Sequence, residues 1–392
     1  MKILVASSAL AVAMSACSGL PSGKEAMRSG LSKDMATVME VTGARGLAVA
    51  KVGGGESLTI ARGERNEAAD PLTTDTVMYG ASLTKTAFAY LVLQLADEGL
   101  LGLDQPIAEI LPKPLPEYEG FRRTHAPWET VGDERWRQIT PRMVLTHSTG
   151  FRNFNFVTLE GEFQWDNGTV DIHFDPGTQY SYSGDGFILL QFVIEQGLGI
   201  DVGQAMRDRI FETLGMTKTD LIWRDDFAEN LADGWDQEGR PEKHDDRSKV
   251  RASGSMDTTI SDQAKLWRAI VTCEQLSDEM CTEFFAPSLP IRTVSQFPLM
   301  QEDAPEDQQI LGLAAGLGLV VGEGPQGTFV FKGGHNGITG NMAVCLVEQE
   351  ECVVILANDV RAERGFNLLV DSALGQTGMP WSWEYSGAKM LD

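Results

Sequence analysis

The sequence predicts a mixed α/β (α+β) fold: an antiparallel sheet built from both termini and flanked by helices, with an inserted, mostly helical region. Near the N-terminus, GLAVAKVGGGESLTIARG contains two apolar strands around a glycine-rich turn. Toward the C-terminus, the short apolar strands GLGLVVGEG, TFVFKGG, NMAVCLVEQ and CVVILAND follow one another. Between these groups, about residues 100–255 contain helical segments such as GFILLQFVIEQGLG. Strands at both ends can share one sheet, which leaves a cleft between the sheet and the insertion.

The first residues predict where the protein goes. MKILVASSALAVAMSACSG has one lysine and then an uncharged run that is too short to span a bilayer. The run ends in Met14-Ser15-Ala16-Cys17, which resembles a bacterial lipobox, in which the cysteine is lipidated and becomes the first mature residue. We therefore expect a signal peptide at 1–16 and a mature domain at 17–392 that is periplasmic and lipid-anchored through Cys17. Met14 replaces the usual leucine, and plain secretion is the alternative.

The remaining elements can be assigned in chain order. A polar helix is predicted at Lys24–Val41, before the two N-terminal strands. Another helix follows Ser82: apolar residues recur every three or four positions from Ala87 to Leu95, with more apolar residues between them. We expect this helix to be buried nearly all round and to end at Gly99. Later helices are predicted in VGQAMRDRIFETLGM, SDQAKLWRAIVTC and about residues 364–374.

Composition narrows the class of function. The formal net charge of −24 argues against nucleic acid as a partner, because such binding depends on Lys and Arg neutralising phosphates. The five histidines are scattered without metal-ligand spacing, so no metal or other cofactor is expected. The four cysteines beyond Cys17 fall into two close pairs, which suit two local disulfides in an oxidising compartment, or else four buried thiols. These pairs are Cys273 with Cys281 and Cys345 with Cys352.

Ser82 and Lys85 form a Ser-x-x-Lys pair at the start of the apolar helix. A serine there lies where free backbone N–H groups and the helix dipole favour developing negative charge. Lys85, on the same helix face, can reach the serine hydroxyl and activate it as a nucleophile. Spacing alone is weak evidence, since a second match, Ser386–Lys389, occurs in the C-terminal tail. No apolar helix follows that second pair, and we interpret it as coincidence.

Three further stretches support the first pair: ITPRMVLTHSTGF (139–151), FDPGTQYSYSGDGFILLQFVIEQGLG (174–199) and FKGGHNGITGNMAV (331–344). In this order and at these separations they resemble the serine β-lactamase and penicillin-binding protein family. The resemblance is greatest to the class C-like serine hydrolases, which include esterases and D-amino-acid peptidases. It extends from about Lys24 to Leu374 and implies a β-lactamase/transpeptidase-like fold.

The resemblance also implies roles for particular residues. A Tyr-x-Asn-type motif aligns on YSYSG and selects Tyr182 as the tyrosine that moves a proton with Lys85, with Tyr180 as the alternative. The His-x-Gly or Lys-Thr-Gly motif aligns on His335, Asn336 and Gly337 and implies that His335 acts in catalysis or orients the substrate.

Two implications concern neighbouring positions. The backbone N–H of Ile338, which follows Gly337, is expected to complete an oxyanion hole with the N–H of Ser82. His147, in LTHSTG, corresponds to a histidine of a structural turn in the family.

Two departures from the family pattern bear on the substrate. Gly184 stands where the family's asparagine binds the acyl-side amide of peptides or β-lactams, and His335 stands in place of a lysine that binds a carboxylate. Both favour an exported esterase or amidase that forms an acyl-enzyme on Ser82 and takes a small ester, amide or peptide. The alternatives are a D-amino-acid peptidase or β-lactamase, and a binder of penicillin or cell-wall peptide that does not turn over.

Overall fold

The computed structural model describes residues 23–53, 55–297, 300 and 303–391. The predicted signal peptide at 1–16 and the predicted lipidation site Cys17 lie outside the described residues.

The described strands form one large sheet and two small pairs. The strands are β1 (Gly46–Gly53), β2 (Glu56–Gly63), β3 (Met78–Tyr79), β4 (Gly234–Trp235), β5 (Pro241–Glu242), β6 (Asp257–Thr258), β7 (Leu289–Pro290), β8 (Ala314–Ala315), β9 (Val320–Gly324), β10 (Gly327–His335), β11 (Gly340–Leu346) and β12 (Glu351–Ala357). The large sheet has eight antiparallel strands in the order β2-β1-β12-β11-β10-β9-β8-β7, while β3 pairs with β6 and β4 with β5. Because β1 pairs with β12, for example Val49 opposite Ile355, both ends of the chain build this sheet, and the predicted fold class is confirmed.

Helices cover both faces of this sheet. They are α1 (Gly23–Thr42), α2 (Leu83–Asp97), α3 (Ile107–Ile110), α4 (Pro141–Leu145), α5 (Gly184–Gly197), α6 (Val202–Met206), α7 (Ile260–Val271), α8 (Asp278–Phe285), α9 (Phe366–Leu374) and α10 (Trp381–Glu384), with a π-helical turn at Arg207–Phe211. Helices α1 and α9 pack together on one face, and α7 packs on β1 and β12 from the other.

The central strands are buried on both faces, which explains their continuous apolar sequence. In β12, Cys352, Val354 and Leu356 enter the larger hydrophobic core, which contains α2, α5 and α7. Val353, Ile355 and Ala357 enter the second core, with α1 and α9. A strand covered by helices on both sides has no solvent face on which to place polar residues.

Helix α2 crosses the larger core, and every residue from Leu83 to Leu95 is buried. This burial confirms the expectation drawn from its apolar sequence. Gly99 has a φ of 72° and directs the chain away after the helix ends, as a C-terminal glycine does.

The inserted region is less helical than predicted. Between α4 and α5 the described chain holds turns and an isolated bridge from Val157 to Phe163, but no helix or named strand. This stretch is rich in Gly, Asn and Asp, whose turn-forming side chains and conformational freedom compete with helix formation.

Both predicted disulfides are confirmed. Cys345 and Cys352 face each other across the β11–β12 pair, and Cys273 and Cys281 join the end of α7 to α8.

Among the described helices none is by itself long and apolar enough to cross a bilayer. One pair bent by 102°, Gly184–Gly197 with Val202–Phe211, meets the criterion by length and composition only.

Candidate active site

Ser82 lies at the junction between β3 and α2. The preceding residue, Ala81, has a φ of 45°, a left-handed conformation that is uncommon for a residue with a side chain and turns the chain sharply into the helix. Ser82 occupies the N-cap position of α2, yet its side chain makes no capping hydrogen bond. Its hydroxyl therefore lies at the positive end of a helix dipole and remains available to the pocket that it lines.

Lys85 is buried beside the Ser82 hydroxyl. Its Nζ lies 3.2 Å from Ser82 Oγ and also donates to the backbone oxygen of Ser253 at 2.5 Å. Burial lowers the pKa of Lys85, and the positive charge of Lys332 lowers it further, while Tyr182 acts in the opposite direction. A lowered pKa increases the fraction of neutral amine, which is the form that can accept the serine proton.

Tyr182 lies beside Lys85 and lines the same pocket as Ser82. Lys85 Nζ lies 4.9 Å from the centre of its ring, and the ring of His147 stacks on it at 4.3 Å. His147 Nδ1 accepts the backbone N–H of Ser183 at 3.0 Å, a contact that suits the structural turn expected there. Burial lowers the pKa of His147 well below its usual range, so it packs as a neutral ring.

Tyr180 lies elsewhere. Its ring packs 6.0 Å from that of Trp383, and it is absent from the lining of the Ser82 pocket, whereas Tyr182 is part of that lining. The geometry therefore favours Tyr182 over the alternative of Tyr180.

A second lysine, Lys332 on β10, was not identified from the sequence. Its side chain is buried, and Nζ donates to the Tyr182 hydroxyl oxygen at 3.3 Å and to the Gly333 carbonyl at 2.7 Å. Burial lowers its pKa to about 8, opposed by the charge of Glu384 on α10. The strand pattern could have revealed it. Side chains alternate between the two faces of a strand, so Lys332 lies on the same face of β10 as Gly334, and Gly334 packs against the backbone of Ser82.

His335 is paired with a carboxylate. Its Nδ1 lies 3.2 Å from Glu363 Oε1, and Glu363 is mostly buried. Burial lowers the pKa of His335, but the hydrogen bond and charge of Glu363 outweigh that effect and raise it. Glu363 therefore keeps His335 protonated over a wider pH range than an ordinary histidine.

Gly184 is closely surrounded, and an asparagine from another loop lies against it. A Cβ atom at residue 184 would come 2.9 Å from the Asn153 carbonyl oxygen and 3.3 Å from the ring of Phe154. Asn153 Oδ1 accepts the Gly184 N–H at 2.9 Å, and Asn153 lines the pocket. Within the described chain the Asn153 amide nitrogen has no hydrogen-bond partner. Asn153 therefore places a side-chain amide next to Gly184, the position at which the family's own asparagine is missing.

The backbone around the predicted oxyanion hole is only partly open. Ser82 N–H has no acceptor among the described residues, whereas Ile338 N–H donates to Asn336 Oδ1 at 2.9 Å. Ile338 does not line the Ser82 pocket, and Gly337 does. A substrate oxyanion at Ile338 would therefore have to displace the Asn336 side chain.

These groups open into a pocket of about 970 Å³, which is large enough for a small-molecule substrate. Its lining includes Ser82, Lys85, Tyr182 and His335, together with residues from loops of the insertion. No cluster of three or more potential metal ligands occurs in the part of the chain that the structure describes.

A serine hydroxyl at a helix start, with a buried amine beside it and a tyrosine next to that amine, defines a serine hydrolase type of site on an α+β scaffold. The chain belongs to the beta-lactamase family, whose model matches residues 31–373. Among solved structures, it resembles a β-lactamase/D-alanine carboxypeptidase from Pseudomonas syringae, with a TM-score of 0.69, 18% identity, and coverage of 89% of this chain and 98% of that one.

Curated relatives match over shorter regions. A lovastatin esterase from Penicillium rubens is 31% identical over 194 residues, which cover 45% of this chain and 46% of the esterase. Penicillin-binding protein 4 from Amycolatopsis lactamdurans is 32% identical over 151 residues, which cover 37% of this chain and 36% of that protein. The matched regions thus span less than half the length of these relatives.

Proposed function

We propose that this protein is an exported serine hydrolase that cleaves small esters through an acyl-enzyme on Ser82. The observation that carries the proposal is the buried Lys85 amine, 3.2 Å from the Ser82 hydroxyl at the edge of an open pocket. Family membership and the similarity to a lovastatin esterase support it.

The first half of the reaction forms the acyl-enzyme. Ser82 Oγ attacks the substrate carbonyl carbon while its proton passes to Lys85 Nζ, directly or by way of the Tyr182 oxygen. Ser82 N–H stabilises the negative charge on the carbonyl oxygen, and Ile338 N–H joins it once Asn336 releases it. The same proton then passes to the departing alcohol as the carbon–oxygen bond breaks.

The second half releases the acid. Water attacks the acyl carbon and gives its proton to the Lys85–Tyr182 pair, which returns a proton to Ser82 Oγ as the ester bond to the enzyme breaks. Positive charge on Lys332, 3.3 Å from the Tyr182 oxygen, stabilises negative charge that develops on that oxygen during both halves.

Esters are favoured over amides and β-lactams for two reasons. Gly184 contributes no side-chain amide, and the loss of one buried hydrogen bond weakens binding by about 1 kcal/mol. His335 shares its charge with Glu363, so it attracts a substrate carboxylate less strongly than an unpaired lysine. Asn153 offers a side-chain amide next to Gly184 and so compensates in part for the missing hydrogen bond. D-amino-acid peptidase or β-lactamase activity is therefore the alternative.

The test is a hydrolysis panel with purified mature protein: short-chain p-nitrophenyl esters, D-amino-acid anilides and nitrocefin. We expect kcat/KM for the best ester to exceed that for nitrocefin by at least about tenfold, or about 1.4 kcal/mol in transition-state binding. Ser82→Ala should abolish ester turnover and fluorophosphonate labelling, with Ser386→Ala as the matched control. Faster hydrolysis of nitrocefin than of every ester would establish the β-lactamase alternative instead.

A non-catalytic receptor for penicillin or cell-wall peptide is the candidate from another class. It predicts an adduct on Ser82 that persists for hours without product release, and intact-protein mass spectrometry distinguishes it from a turning-over enzyme. The presence of Ser82, Lys85 and Tyr182 argues against a receptor that binds without acylation, because such a receptor does not require all three.

Export and lipid anchoring form a separate part of the proposal. The motive is the sequence Met14–Cys17. Cys17→Ser should release a soluble form and abolish incorporation of labelled fatty acid. Equal membrane association of the variant and the unaltered protein would leave plain secretion as the remaining explanation.

A further inference from the structure

Four aromatic rings form a continuous stack on one wall of the Ser82 pocket. Phe154 stacks on Phe156 at 5.0 Å, Phe156 on Trp165 at 4.5 Å, and Phe163 on Trp165 at 5.3 Å, with the planes within 21° of parallel. All four line the pocket, and we call them the aromatic ladder. Phe163 and Trp165 are each 64% exposed. Large apolar side chains left in solvent beside a reactive serine indicate a surface that is covered when a ligand binds.

The pocket has a second wall of opposite character. Arg123, Lys249 and Arg251 line it, and we call them the cationic cluster. Lys249 Nζ and Arg251 Nη2 both donate to the Arg123 carbonyl oxygen, at 2.9 and 3.2 Å. The two cationic nitrogens therefore lie within about 6 Å of each other. Among the described residues, no carboxylate lies within ion-pair distance of any member of the cluster.

The charge around this pocket contrasts with the rest of the protein. The formal net charge of the chain is −24, yet the pocket lining holds five lysine or arginine residues and two aspartates. One aspartate is Asp185. Burial raises the pKa of Asp185 to about 7, and the charge of Arg251 acts in the opposite direction. The other is Asp166, beside Trp165. The field at the cationic cluster thus remains positive, which attracts anions in an otherwise acidic protein.

The aromatic ladder borders the acyl side of the scissile bond. The ring of Phe154 lies against Gly184, 3.3 Å from where a Cβ atom would be. Residue 184 is the position that the family resemblance places next to the acyl portion of the substrate. An acyl group that extends from Ser82 in this direction therefore contacts the aromatic ladder first.

We propose that the preferred substrate is an ester whose acyl group carries an aromatic ring and a carboxylate, with the ring on the aromatic ladder and the carboxylate at the cationic cluster. The inference rests on the proposed function and deepens it by naming the acyl group. A ring that joins the aromatic ladder extends its stacking, and a carboxylate at the cationic cluster forms the direct ion pair that no described carboxylate makes there.

Three p-nitrophenyl esters test this: the 3-(4-carboxyphenyl)propanoate, its uncharged carboxamide analogue of the same size, and the aliphatic heptanoate. We expect kcat/KM to fall about tenfold from the carboxylate to the carboxamide and about fivefold further to the heptanoate. Raising NaCl from 50 to 500 mM should reduce the ratio of kcat/KM for the carboxylate to that for the carboxamide at least about threefold, because the charges are partly exposed.

Substitutions test whether the cationic cluster causes the preference for a carboxylate and the aromatic ladder the preference for a ring. Arg123→Gln combined with Lys249→Gln should reduce the carboxylate-to-carboxamide ratio toward one, whereas Lys33→Gln on α1 should leave the ratio unchanged. Trp165→Ala should reduce the ratio of carboxamide to heptanoate. Equal kcat/KM for the carboxylate and carboxamide esters, or a ratio that survives the double substitution, would overturn the proposal.

A binding measurement separates failure of this inference from failure of the proposed function. The Ser82→Ala protein should bind the intact carboxylate ester about tenfold more tightly than the carboxamide by calorimetry. If no ester is hydrolysed but this difference is found, the esterase proposal fails and the pocket assignment stands. If esters are hydrolysed without discrimination, only the inference about the acyl group fails.

Discussion

Replacing Lys332 by methionine tests whether the second lysine acts through Tyr182. The substitution removes the ammonium group that lies 3.3 Å from the Tyr182 oxygen and leaves a side chain of similar length. Coulomb's law with an effective dielectric constant of 20 gives about 5 kcal/mol for full charges at this distance, an upper limit because the oxygen is only partly charged in the transition state. A hydrogen bond to a charged group contributes about 2 kcal/mol, so kcat/KM should fall about 30-fold.

The same substitution should not weaken the fold. Burial lowers the pKa of Lys332 from 10.5 to about 8, so the protonated lysine costs the folded state about 3 kcal/mol at neutral pH. Between about pH 8 and 10.5 the unfolded chain binds more protons at this residue than the folded chain does. The free energy of unfolding should therefore rise with pH through that window, and the methionine variant should lack this rise. At pH 7 the variant should be at least as stable as the unaltered protein.

The assay measures kcat/KM for a p-nitrophenyl ester and urea unfolding of the same preparations, with Lys33→Met on α1 as the control. Loss of activity with retained or increased stability supports the action of Lys332 on Tyr182. Activity within about threefold of the unaltered protein would refute it. A large loss of stability would show instead that Lys332 is needed for packing.

Three further outcomes are expected. Asn153→Ala should lower kcat/KM for D-amino-acid anilides about tenfold more than for esters, because its amide is the one placed beside Gly184; equal losses would contradict that role. Glu363→Gln should move the NMR titration midpoint of His335 to lower pH, since Glu363 raises its pKa, and an unchanged midpoint would rule out the pairing. Joint replacement of Cys345 and Cys352 by alanine should lower the free energy of unfolding by about 2–3 kcal/mol in urea titrations, whereas four free thiols in the purified protein under non-reducing conditions would show that the bridges do not form.

The sequence by itself determined the fold class and the buried helix that follows Ser82, and it indicated which cysteines pair while leaving open whether they form disulfides. These features depend on local order: the periodicity of apolar residues distinguishes helix from strand, and each cysteine pair is separated by only 7 or 8 residues. The Ser82–Lys85 contact is local for the same reason, because residues three apart share one face of a helix.

The tertiary structure alone decided which distant groups meet around that pair. Lys332 reaches Tyr182 across 150 residues of sequence, Glu363 reaches His335 from a different element, and Asn153 lies against Gly184 across 31. The two walls of the pocket come from loops of the insertion, whose paths depend on turn residues and long-range packing. No periodic pattern encodes such contacts, because they depend on how separate elements pack in three dimensions.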